Sequence, residues 1–387
     1  MLAAVPEPPA LTWSAYENVE SGAPLNSNPG YEQQFAAMNT KPLVGIGVSL
    51  LSIFLTPTLV RAQSAGEHRA AGKEVAKQAE GDWADARWNQ TVLGNFHSSV
   101  VAMPGGSVAK GLSIRMGKER IVSALYDTAT ATLCGVWTDG FLKFDSARYG
   151  LLRAPKPDGE VRFLAPSSPA WNGSVQWRGW HVSDARVVLD YSVDKTRVLE
   201  SPWVERAARV TAITRTYEFS PDGGKVLTLS QAGGVELTSI DGVKVASAAL
   251  RDERLRFAAL ESAGEFFEEN GLLKLRFRAT NGILRVKLFY TTESANDLAA
   301  LVKQSAPAED LSALANPSAP RWTPLVTKGQ RGFSSDGFAI DTLTLPYDNP
   351  WKALLFAAGV DFLPNGDAAI CTIHGDVWLV SGIDENL

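Results

Sequence analysis

Cysteine and histidine are the scarce residues of this chain. Cys134 and Cys371 are its only two cysteines, too few and too far apart for a zinc ribbon and not in the C-x-x-C-H order that attaches haem. A disulfide between them in an oxidising compartment stays open beside the plainer reading of two small buried hydrophobes. The four histidines never fall at H-x-x-x-H spacing, so no metal site is read from them. Positive charge is not in excess: 37 Lys and Arg stand against 42 Asp and Glu. No basic cluster is interleaved with aromatics either, which argues against a nucleic-acid partner. A G-x-S-x-G elbow, a P-loop and a dinucleotide fingerprint are all missing, and Pro104-Gly105-Gly106-Ser107 reads as a turn.

What is present is a globular composition, 45% hydrophobic and 20% charged, over a length that exceeds what one core serves. Residues 1–37 hold four Glu and no Lys or Arg and read as a mis-called or disordered extension. Residues 38–62 have the form of a secretory signal peptide: Lys41, an apolar stretch to Val60, then Val60 and Ala62 at signal-peptidase spacing. The rival is an uncleaved membrane anchor. Both place the folded part outside the cytoplasm, in the periplasm or at the cell envelope, with membrane contact only through an uncleaved signal segment. Residues 63–88 read as a polar helix or linker.

Beyond that point the pattern is mainly β. Leu112–Met116, Arg186–Val193, Arg209–Phe219, Leu272–Arg278 and Ile283–Tyr290 alternate apolar and polar residues. Turn signals punctuate them, among them Asp139-Gly140, Asp158-Gly159, Asp241-Gly242 and Asn270-Gly271. The expected fold is an antiparallel β-sandwich over residues 89–320. A short helical insertion interrupts it at residues 294–316, capped by Ser294 and broken at Pro307. Residues 321–387 read as a connector and blade-like hairpins. Within them, residues 357–382 suggest two short strands pivoting on Pro364-Asn365-Gly366 and His374-Gly375, an incomplete β-propeller start.

Several stretches together resemble one family. They are Lys110–Gly117, Tyr126-Asp127, Gly135–Leu142, Val188–Val193 and Leu199–Pro202, and then Asn349–Ala353, Val360–Gly366 and Gly375–Val380. The family is that of large exported bacterial proteins coupling an N-terminal β-sandwich to a sugar-dehydrogenase-like propeller and a c-type cytochrome or other haem-binding domain. The resemblance implies a quinone-dependent parent enzyme whose quinone and haem c lie in further domains, with no cofactor in this chain. A cytochrome or downstream propeller domain is then the implied protein partner. Trp88 leads here into Asn89–Phe96 instead of the family's Asp-Tyr-Gly-Pro-type stretch, Asp139 stands where a glycine is common, and no catalytic residue carries over.

Two local groups are the candidate ligand sites. Trp177, Arg178, Trp180 and His181 could line a groove for a carbohydrate, although alternation puts Trp177 and Arg178 on opposite faces. His374 and Asp376 lie close along one strand, as a general acid/base or, the plainer reading, as a hydrogen bond closing the turn. Trp137, Trp171 and Trp203 complete a tryptophan-rich middle in which Trp137 reads as core. Asp184, Asp190, Glu200 and Glu205 could supply a glycosidase pair if their separations allowed it. The expected function is a non-catalytic binding or scaffolding module, with a glycan-processing or carbohydrate-binding sandwich acting on its own as the alternative.

Overall fold

The computed structural model describes residues 10–16, 87–146, 153–164, 169–207, 210–221, 224–231, 233–250, 253–260, 263–316, 323–332, 337–353, 355–372 and 377–384. The signal segment, most of the polar stretch before Trp88, and His374 with Asp376 lie outside these residues. Strand β1 (Ala10–Tyr16) opens the described chain. The body follows with β2 (Phe96–Met103), β3 (Gly106–Met116), β4 (Val122–Asp127), β5 (Thr132–Thr138), β6 (Leu142–Lys143), β7 (Lys156–Pro157) and β8 (Glu160–Leu164). Then come β9 (Val175–Ser183), β10 (Arg186–Val193), β11 (Thr196–Ala207), β12 (Val210–Phe219) and β13 (Val226–Gln231). They are followed by β14 (Glu236–Ile240), β15 (Val243–Leu250), β16 (Glu253–Leu260), β17 (Gly264–Glu269), β18 (Leu272–Phe277) and β19 (Leu284–Thr291). Helices α1 (Ala295–Gln304) and α2 (Leu311–Leu314) precede β20 (Leu325–Gln330), β21 (Thr342–Leu343), β22 (Ala357–Phe362), β23 (Ala368–Thr372) and β24 (Val377–Ser381).

The body is an antiparallel sandwich. One layer is an eight-stranded sheet in the order β14-β15-β16-β19-β12-β11-β10-β9. Against it lie the five-stranded sheet β2-β3-β4-β5-β8 and the three-stranded sheet β13-β18-β17. A single hydrophobic cluster joins all three: Leu112 and Ile114 from β3, Leu189 and Tyr191 from β10, and Leu273 and Leu275 from β18. Period-two alternation produces this arrangement. In β10, Val187, Leu189, Tyr191 and Val193 point into that cluster, while Val188 joins a separate one on the opposite face.

The two helices cover that opposite face. Ser294 caps α1, its hydroxyl accepting from Asp297 N, and Leu298, Ala299, Leu301 and Val302 pack on Val243, Val245, Ala258 and Phe289. Pro307 cannot extend a helix, and the chain then crosses the sheet to Asp310, which caps α2 so that Leu311 rests on Val188 and Leu199. Tight turns follow the sequence signals: Asn270 and Gly271 take φ of 54° and 71° between β17 and β18, the left-handed pair a two-residue hairpin needs.

The last sheet is distinct, in the order β21-β20-β1-β24-β23-β22. Its own cluster of Leu355, Ala368, Ile370, Trp378 and Val380 shares no residue with the sandwich interior. The stretch 357–382, read from the sequence as two strands, contains three, β22 to β24. Residues 10–16 do not stand apart: Thr12 pairs with Val326 of β20 on one side and Ser381 of β24 on the other. The body meets this sheet's connector where Val92 N donates to Trp351 O at 2.9 Å.

Candidate functional site

Strand β9 resolves the Trp177–His181 group into two sets. A register shift opposite Asp190 and Tyr191 marks a bulge at Gly179, whose φ of 150° is open to glycine. The extra residue places both Trp177 and Trp180 against the sandwich interior. There Trp177 stacks on Tyr191 with centroids 6.2 Å apart, and Trp180 meets Phe96 edge-on at 5.3 Å. Arg178 and His181 turn to the other face, where Arg178 Nε donates to Ser192 Oγ at 3.0 Å and His181 Nε2 stands 3.6 Å from Asp190 Oδ2. The four side chains therefore do not line one groove. Burial would raise the Asp190 carboxyl, but hydrogen bonds from His181 and from Arg197, at 2.6 and 3.1 Å, outweigh it and hold it below its ordinary 3.8.

The four acidic candidates are dispersed as well. Glu200 and Glu205 lie five residues apart on β11 and so project from opposite faces. Glu200 enters the core and is fully buried. It accepts from Tyr126 Oη, Tyr191 Oη and Arg215 Nε, each at 2.6 Å. Arg215, 3% exposed, also donates to Tyr290 Oη at 2.8 Å. Burial, reinforced by the Glu200 charge, drives Tyr126 and Tyr191 well above the usual phenol range, so both remain donors. Asp190 lies opposite Leu199 on the outer face, six residues short of Glu205. That is roughly 20 Å along a strand, against the ~5–9.5 Å between glycosidase carboxyls. Asp184 is exposed in the β9–β10 turn with a φ of 51°.

Sequence reasoning missed the cavity at the end of β11. Its volume is about 450 Å³, within the ~300–1,000 Å³ typical of small-molecule sites. The walls are the β3–β4 turn, residues 203–207 of β11, Lys287 of β19, and the C-terminal end of α1 with the chain leading to Glu309. Trp203 is half-buried in it, and Arg186 packs over the indole ring at 4.6 Å. In the cavity wall, the Lys287 side chain is only 6% exposed. It donates to Glu205 Oε1 at 2.7 Å and Ala306 O at 3.0 Å, and lies 3.6 Å from Glu309 Oε1. Glu309 accepts further from Thr216 Oγ1 at 2.6 Å and faces Arg186 at 3.4 Å. Burial raises the Glu309 carboxyl, yet the Thr216 bond and the Arg186 and Lys287 charges bring it below its ordinary 4.5. At the mouth Arg206 Nη1 meets Glu119 Oε2 at 2.5 Å.

A carboxylate held ionised between cations accepts hydrogen bonds but has no proton to give at neutral pH. Among the described residues no three His, Cys, Asp or Glu side chains converge as metal ligands, and no helix is long and apolar enough to cross a membrane. Cys134 on β5 and Cys371 on β23 are free thiols in different sheets, and burial pushes the Cys134 thiol up to about 11.

A family model described as a domain of unknown function (DUF6797) matches residues 124–174, a stretch holding most of β4, all of β5 to β8 and Trp171. No curated protein matches the chain.

Proposed function

We propose that this chain is an exported, non-catalytic binding module whose β-sandwich holds a small ligand in the cavity beside Trp203. The observation that carries the reading is the neutralised floor. Lys287 donates to Glu205 and a carbonyl and faces Glu309, so the buried cation is already paired while the two carboxylates keep hydrogen-bonding capacity. The quinone-dependent propeller and haem domain implied by the resemblance belong to this proposal as the units such a module would serve.

Incubating the protein with a quinone and a panel of aldoses, polyols and glycans should give no turnover; measurable turnover overturns the non-catalytic reading. A thermal-shift screen of small metabolites should yield stabilising compounds whose effect disappears in Ala207→Phe, which fills the cavity. N-terminal sequencing of protein from its native host tests export, with Gln63 the expected first residue.

A further inference from the structure

We infer that the ligand of this cavity is an uncharged carbohydrate, held by the indole of Trp203 and by the spare acceptor positions of Glu205 and Glu309; the inference rests on the cavity being a ligand site. Charge decides the class. Lys287 is buried, with two of its three donors on Glu205 and Ala306 and with Glu309 3.6 Å away. Lys118 and Arg120 also line the cavity, but both are solvent-exposed on the β3–β4 turn, so an anionic ligand finds no unpaired buried cation and would lose its hydration uncompensated where it is enclosed. A cationic ligand would have to compete with Lys287 for the same two carboxylates. A neutral ligand meets neither cost.

Hydrogen-bond capacity points the same way. Each ionised carboxylate offers about four lone-pair positions and no donor. Glu205 uses two of them, on Lys287 and Ser305; Glu309 faces Thr216, Arg186 and Lys287. The positions left over call for a ligand rich in hydroxyl donors. Trp203 adds an amphipathic ring with one flank taken by Arg186, which does not line the cavity. Aliphatic C–H faces of a sugar ring pack on such a surface while their hydroxyls reach the carboxylates.

The full chain is titrated with D-glucose and maltose, and in parallel with D-glucuronate and D-glucosamine as charged rings of matching size, by tryptophan fluorescence and calorimetry. The neutral sugars should bind, and both charged ones should bind about tenfold more weakly or not at all. Trp203→Ala should weaken the neutral sugars about tenfold, and Trp203→Phe by less. Glu205→Gln removes one counter-charge from Lys287, so glucuronate should gain relative to glucose. Equal or tighter binding of a charged ring by the unaltered protein, failure of the neutral sugars, or indifference to both Trp203 variants overturns the ligand class. Metabolites that bind in the thermal-shift screen and are lost in Ala207→Phe would still leave the module a binding protein, whereas no binding in either experiment overturns both readings.

Discussion

Removing the Glu200 carboxylate strands the Arg215 guanidinium inside the sandwich, with Tyr290 Oη its one remaining partner in the ion-pair cluster. Glu200→Ala should therefore cost ~3–5 kcal/mol, the penalty of an uncompensated buried charge. A urea midpoint measured against the unaltered protein reads it directly. The joint change Glu200→Leu with Arg215→Met should be much milder, because an apolar pair leaves nothing unpaired. On the outer face, pH is the lever. Asp190 and Glu309 have folded-state pKa values below their ordinary 3.8 and 4.5. Glu218 behaves alike: burial raises it, but Ser312, Arg285 and the Leu311 amide together bring it down. Depressed carboxylates stabilise the fold in full above those ordinary values, and the contribution is lost as pH falls through the lower folded-state ones. Melting temperature should hold near neutrality and fall steeply below about pH 4, with the acid limb shallower in Asp190→Asn.

Whether an element was legible depended on how local its cause is. Ser294 and Pro307 announce the ends of α1 within a few residues, and Asn270-Gly271 carries its own left-handed turn. The turns at Asp184-Ala185 and Asp194-Lys195 give no such notice: Asp184 and Asp194 adopt φ of 51° and 54° without a glycine to mark them. Gly179 hid the most. Unbroken alternation sends Trp177 and Trp180, three residues apart, to opposite faces, and one bulged residue brings both inside. Gly179→Val should cost about 1 kcal/mol or more, because a β-branched residue cannot adopt φ near 150° without strain; loss of the Trp177–Tyr191 stack in near-UV circular dichroism should accompany it. The cavity lay beyond local reading altogether. Its walls come from residues near 120, 205, 287 and 305, and only the register of β11, β12 and β19 brings Glu205 to Lys287.

At the scale of the molecule, two interiors share one chain. The cluster around Trp378 and Val380 is independent of the sandwich core, so damage to one should leave the other standing. Trp378 is 2% exposed, and Trp378→Ala should destabilise the last sheet by ~3–5 kcal/mol. Hydrogen exchange should then accelerate in β22 to β24 while β10 to β12 keep their protection. Export and this sheet are coupled: cleavage after Ala62 would remove β1 and leave the facing edges of β20 and β24 without their shared partner.

β1 also gives assembly an order in time. A ribosome delivers Ala10–Tyr16 long before Leu325 or Val377 exists, yet those late residues are the ones it pairs with. In a chain that keeps residues 1–62, the sandwich can collapse during synthesis, while this seam knits only after Ser381 has emerged. Until then the nascent protein trails an orphan strand in search of an edge, the moment at which it most needs a chaperone's cover.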